Sequence, residues 1–268
     1  MPKKSNMMYF NGALLLILII ICLSNVTSQR VRARPPVNCA QQHLDSDQCY
    51  ADLVWMTSDH LPRTTQELEQ RYCSKMSQRL TCLSNIRFCY HGFVRQVIDI
   101  FTRGLRGHFR SYCKNEEAKK NFLFETQCVQ SGSEAKKFIA QFSNDTSIIL
   151  NYAASFTGDD MLKNVCCVYD FMDREIKRAT RALCIEQKLT TALDRISFFN
   201  NMVKSSLGDV IELVCPATHK TREACEKNAP HVVAEMRKIM SDKDRKPLKG
   251  TAFVHLVAFA NHLAKLFN

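Results

Sequence analysis

Two residue types dominate the chemistry this chain could carry: thirteen cysteines and eight histidines. A thiolate ligates metals or attacks substrates, and an imidazole ligates metals or moves protons. The spacing supports neither use. No C-x2-C pair occurs, so no structural zinc site is expected. The histidines (His43, His60, His91, His108, His219, His231, His255 and His262) are scattered. His255 and His262 share a helix face, but no carboxylate in their segment completes a site, so a plain helix-surface role is expected. There is no G-x-S-x-G elbow, H-E-x-x-H pair, phosphate-binding glycine loop or dinucleotide fingerprint. These patterns assign no catalytic residue, no metal ligand and no cofactor. The expectation is a protein that is not an enzyme.

One run comes closer to a catalytic motif. Cys166-Cys167-Val168-Tyr169-Asp170 is similar to the C-C-x-x-H-D run of secreted phospholipases A2, where the histidine is the general base beside a carboxylate that helps hold calcium. Here Asp170 stands in the place of that histidine and Phe171 in the place of the aspartate. No glycine-rich calcium loop precedes them. The base is missing, so the likeness is confined to disulfide framing.

The cysteines instead point to cross-links. Residues 1–28 read as a secretory signal peptide: Lys3 and Lys4, an apolar run over 13–23, then Val26 and Ser28 before a cut at Gln29. The apolar run is too short to span a bilayer, and no transmembrane segment is expected in the mature chain. Cys22 leaves with the signal. Cys39, Cys49, Cys73, Cys82, Cys89, Cys113, Cys128, Cys166, Cys167, Cys184, Cys215 and Cys225 remain. An even count in a secreted chain predicts complete pairing in an oxidising, extracellular compartment.

The elements that must carry these cysteines are helical. Residues 29–38 hold three arginines and two prolines and read as a disordered basic arm. Residues 39–228 form the cysteine-rich helical domain, and 229–268 a C-terminal basic segment and apolar helix. Thr64 and Glu67 make a capping box. Leu68, Tyr72, Met76 and Leu80 follow on one face, with Leu83 and Ile86 continuing it toward Cys89. A second helix starts at Phe93, with Gly104 and Gly107 expected to interrupt it. Ser133 is expected to cap a short helix ending at Phe142, and Met161 to begin a longer one. Further helices are expected over 185–204, 207–214, 220–240 and 250–267. No stretch alternates like a strand. The fold class is all-α, a disulfide-stapled bundle of seven to ten helices without a β-sheet.

Helix geometry constrains the pairing. Cys82 and Cys89 lie roughly 10.5 Å apart along one helix at 1.5 Å per residue, beyond disulfide reach. Cys73 lies on the opposite face from Cys82, so that helix is tied on two sides and is expected to be central. Adjacent Cys166 and Cys167 must take different partners.

The formal charge of +11 becomes +9 once Lys3 and Lys4 leave. Arg237, Lys238, Lys243, Arg245, Lys246 and Lys249, set against Asp242 and Asp244, form a candidate anion-binding segment for a glycosaminoglycan or a protein partner. Nucleic acid is not expected in this compartment. Asn144 opens an N-x-T sequon, expected as a glycosylation site in a surface loop or at a helix start. The apolar tail, 252–267, is expected either to dock on the core or to engage a partner or a membrane surface.

The order Leu61-Pro62-x-Thr64-x-x-Glu67-Leu68, Cys73, Cys82, Cys89, Cys113, Cys128, Cys166-Cys167-x-Tyr169, Cys184, Cys215, Cys225 resembles the cysteine-rich helical secreted proteins of arthropods. These include insect haemolymph glycoproteins and tick, mite and spider proteins. The likeness spans residues 39–225. Some members carry a cysteine soon after the double cysteine, whereas here Cys184 is the next. The resemblance implies a secreted fluid-phase protein and supplies no catalytic residues. The expected function is non-enzymatic extracellular binding, with a lipid or hydrophobic small molecule carried between helices. The alternative is an anionic macromolecule or protein partner held by the basic segment or the C-terminal helix.

Overall fold

The computed structural model describes residues 38–56, 58, 60–129, 132–158, 160–186, 197–215, 221–242 and 246–265. The expected signal peptide, 1–28, and all of the expected basic arm, 29–38, except Asn38 lie outside them. Helix starts are set by side chains that accept orphan backbone N–H groups. Asn38 caps α1 (Cys39–Leu53), accepting from Gln41 N at 3.2 Å. Thr64 caps α2, accepting from Glu67 N at 3.1 Å as the capping box predicts. α2 runs as Thr65–Leu68, passes through a π turn at Glu69–Cys73, resumes as Ser74–Asn85 and tightens into a 3-10 turn at Ile86–Cys89. There follow α3 (Gly92–Cys113), α4 (Glu116–Glu125), a 3-10 turn (Gln127–Val129), α5 (Gly132–Ala153) and α6 (Met161–Glu186). The chain continues with α7 (Phe198–Val214), α8 (Arg222–Asn228), α9 (Pro230–Ser241) and α10 (Ala252–Ala264). No strand occurs among the described residues. The chain is an all-α, disulfide-stapled bundle.

All twelve cysteines pair, with Cα separations of 5.0 to 6.2 Å. Cys39–Cys89, Cys49–Cys82 and Cys73–Cys113 lock α1, α2 and α3. Cys128–Cys184, Cys166–Cys215 and Cys167–Cys225 lock α6 to the turn after α4, to the end of α7 and to α8. Cys82 and Cys89 take separate partners, as do Cys166 and Cys167. No disulfide joins residues 39–113 to residues 128–225. The two nets meet through non-covalent contacts, among them the Ser143 hydroxyl donating to Met56 Sδ at 3.0 Å.

That seam explains a correction. Gly104 and Gly107 do not interrupt α3, which runs unbroken to Cys113. A Cβ at Gly104 would lie 1.7 Å from the Ser205 carbonyl oxygen of α7. The glycine serves a close helix crossing, which offsets its poor helix propensity. α3 makes its most extensive interface with α7 and also packs on α2, α4 and α10. α2 is tied on two sides as expected, to α1 and to α3, and α3 is a second central helix with larger interfaces.

Three expected boundaries also shift. The helix from Ser133 does not stop at Phe142 but continues to Ala153, because Ile149 and Leu150 extend its buried face. The segments 185–204 and 207–214 become a single α7, with α6 reaching Glu186 and residues 187–196 outside the description. The expected 220–240 helix breaks at Ala229, where Pro230 opens α9. Proline suits a first turn and cannot continue a preceding helix.

The N-terminal core is aromatic. Trp55, the single tryptophan, is buried with φ at 60°, a region strained for a bulky residue. It stacks on Tyr72 at 4.5 Å and meets Phe109 and Phe198 edge-on. The tail docks: Phe253, Leu256, Val257, Phe259 and Leu263 of α10 are buried against α5, α3 and α1. Asp47 of α1 accepts from Thr251 N at 2.9 Å and from the Thr251 hydroxyl, fixing the start of α10. His262 bonds the Phe156 carbonyl, so it tethers α10 rather than lying idle on a surface. No described helix is long and apolar enough to cross a membrane.

Candidate functional site

Helical spacing builds a cleft between α5 and α6. Phe138, Phe142 and Ile149 recur along one face of α5. Met172, Ile176 and Leu183 recur along the facing side of α6, and Met240 of α9 closes one side. Between Ile176 and Leu183 the apolar lining is Ala179 and Ala182, whose small side chains leave the gap open. Phe199 of α7 backs Phe138 and Phe142, with ring centroids at 5.2 and 5.3 Å. The cleft holds about 430 Å³, within the usual size of ligand sites.

Its rim is polar. Lys137, Gln141 and Asp145 line the α5 side, and Glu175 and Arg178 the α6 side. Arg178 Nη2 lies 2.6 Å from Glu175 Oε2. An apolar floor beneath a charged rim suits a molecule with a hydrocarbon body and a polar end.

Among the described residues, the gap at the centre of the bundle is far smaller. α3, α5, α6, α7 and α10 meet around Val97, Leu150, Val168, Leu207 and Phe259, and the gap there is about 30 Å³. That is room for about one water molecule. Tyr169 borders it, its hydroxyl pushed up to about 12 by burial, with Asp173 and Glu212 adding to the shift.

The sequence-predicted anion-binding residues do not assemble into one site. Arg237 pairs with Glu226 at 3.2 Å and Lys238 with Glu235 at 3.6 Å. Lys246 and Lys249 are exposed, and Lys243 and Arg245 lie outside the described residues. Asn144 lies in neither a loop nor a helix start. It is half-buried inside α5, and its carboxamide oxygen accepts from Leu248 N at 3.3 Å.

The nearest approach to a catalytic triad is a helix cap. Glu67 Oε1 meets His60 Nε2 at 2.7 Å and Arg71 at 2.8 Å, while Oε2 accepts from Arg63 N at 2.9 Å. Partial burial would raise the Glu67 carboxyl, but the Arg63, Arg71 and His60 hydrogen bonds overcome this and lower it to about 2. His108 is the deepest imidazole described, 5% exposed among Phe109, Tyr112 and Phe198. Burial lowers its pKa to about 4, and its Nε2 has no hydrogen-bond partner. Among the described residues, no group of three His, Cys, Asp or Glu side chains is placed to hold a metal.

No protein-family model matches the chain, and neither a curated protein nor a solved structure matches it. Function is therefore read from geometry. The cleft residues were missed in the sequence, although the pair Ala179 and Ala182 on an otherwise bulky helix face was a usable signal.

Proposed function

We propose that this chain is a secreted, non-enzymatic extracellular protein that binds a single-chain amphiphile in the α5–α6 cleft. Six disulfides support an oxidising compartment and a stable fold. The observation that carries the ligand is the 430 Å³ cleft with its phenylalanine floor and charged rim. Binding in place of catalysis fits the engagement of both Glu67 carboxylate oxygens, one by the Arg63 backbone N–H and the other by His60 and Arg71. The likeness to the secreted arthropod proteins rests on cysteine spacing and belongs to the same proposal.

Titration with an environment-sensitive fluorescent long-chain fatty acid tests it. Wild type should bind saturably. Ala179→Trp fills the gap in the α6 wall and should weaken binding by about tenfold or more, with unchanged melting. Equal binding by the two proteins, or none by wild type, would remove the cleft as the site.

A further inference from the structure

The outward face of α3 carries a row of cations that the cleft does not use. Arg95, Arg103, Arg106, Arg110 and the following Lys114 fall within an arc of about 100° at 3.6 residues per turn, over roughly 28 Å at 1.5 Å per residue. All are exposed except Arg106, which is half-buried. None of the five has a carboxylate partner among the described residues. Five arginines elsewhere are matched: Arg71, Arg174, Arg178, Arg222 and Arg237 each pair with an acid. The single acid on α3, Asp99, is taken by Arg87 at 3.1 Å. Gly107 lies between Arg106 and Arg110, and the space where its Cβ would stand is open.

The helix gains little from this arrangement. Cations near a C-terminus favour the helix dipole, which accounts for Arg110 and Lys114 but not for Arg95 or Arg103. Like charges three and four residues apart on a helix repel one another. A bound polyanion would relieve that repulsion.

We propose that this face of α3 binds a linear sulfated polysaccharide. Guanidinium groups grip sulfate-like oxygens through paired N–H donors, and four of the five cations are arginine. A straight row suits a linear polymer. The exposed large apolar side chains described, Leu44, Phe124 and Ile185, are not on α3, so this face has no wedge for a lipid surface and no exposed aromatic platform for nucleic-acid bases.

Heparin supplies the probe. The triple variant Arg103→Gln, Arg106→Gln, Arg110→Gln removes three charges from side chains that hold no partner. The matched control Arg237→Gln, Lys238→Gln, Lys246→Gln removes three from the C-terminal segment. The α3 triple should weaken heparin binding by about tenfold or more and flatten its salt dependence, while the control stays within about twofold of wild type. Circular dichroism and melting verify that both fold. Unchanged binding by the α3 triple would overturn the proposal. So would equal losses from both triples, release from heparin at the salt that elutes wild type from a plain sulfonate resin, or a preference for phosphatidylserine vesicles over heparin.

Discussion

The two disulfide nets enclose different kinds of interior. In residues 39–113, three bonds link α1, α2 and α3 around Trp55, Tyr72 and Phe109, and the packing there is aromatic and closed. In residues 128–225, all three bonds terminate on α6, and the cleft opens beside it. The other cleft walls, α5 and α9, contain no cysteine. The cross-links thus hold one wall of the cleft and leave the opposite walls to packing. No disulfide ties α5 or α9 to α6, so opening the cleft on that side would break no cross-link.

Removing single cross-links sharpens this difference most strongly. Replacing Cys73 and Cys113, or Cys128 and Cys184, by alanine should each cost about 4 kcal/mol of stability by denaturant unfolding, since the closed loops are similarly long. Amphiphile binding should separate the two. Loss of Cys128–Cys184 frees the end of α6 beside Leu183 and should weaken binding, whereas loss of Cys73–Cys113 should not.

The non-covalent seam is the next place to press. Gly104→Ala drives a methyl group into the Ser205 carbonyl and should cost about 3 kcal/mol. Gly107→Ala meets nothing and should gain up to about 1 kcal/mol from helix propensity.

Acid should loosen the aromatic side of the seam, where His108 packs on Phe198 of α7. Its pKa is about 4 in the folded protein against 6.5 for an ordinary histidine, so the unfolded chain takes up the proton first. Stability is then complete above about pH 6.5 and declines as pH falls toward about 4, by up to about 3 kcal/mol. His108→Leu should abolish that decline. Glu67, also held below its ordinary value, contributes stability above about pH 4.5 that is lost as pH falls toward about 2. That lower limb should remain in the variant.

The helical class, the capping box at Thr64 and Glu67, and the separate partners of Cys166 and Cys167 were readable in the sequence, because each depends on local spacing. Gly104 does not break the helix because its role depends on α7, about a hundred residues further along the chain, and Gly107 alone costs too little helix propensity to end a helix whose apolar face continues. The expected break also concealed the arginine row, since a helix broken at Gly104 cannot align Arg95 with Arg110. The Asn-Asp-Thr sequon suggested a loop or a helix start, yet the apolar face continuing through Ile149 and Leu150 outweighed that local signal. The cleft was hidden for another reason. Its walls come from α5, α6 and α9, and beyond the small pair Ala179 and Ala182 on α6 nothing local records that they face each other.

Photolabelling is the most direct test of the cleft. A long-chain fatty acid carrying a photoreactive tail group is bound to the disulfide-intact protein and irradiated, and the labelled peptides are mapped by mass spectrometry. Label should concentrate on residues 138–149 of α5 and 172–183 of α6, and excess unlabelled fatty acid should displace it. Label spread over α1 to α3, or label that competitor does not displace, would contradict a binding site in the cleft.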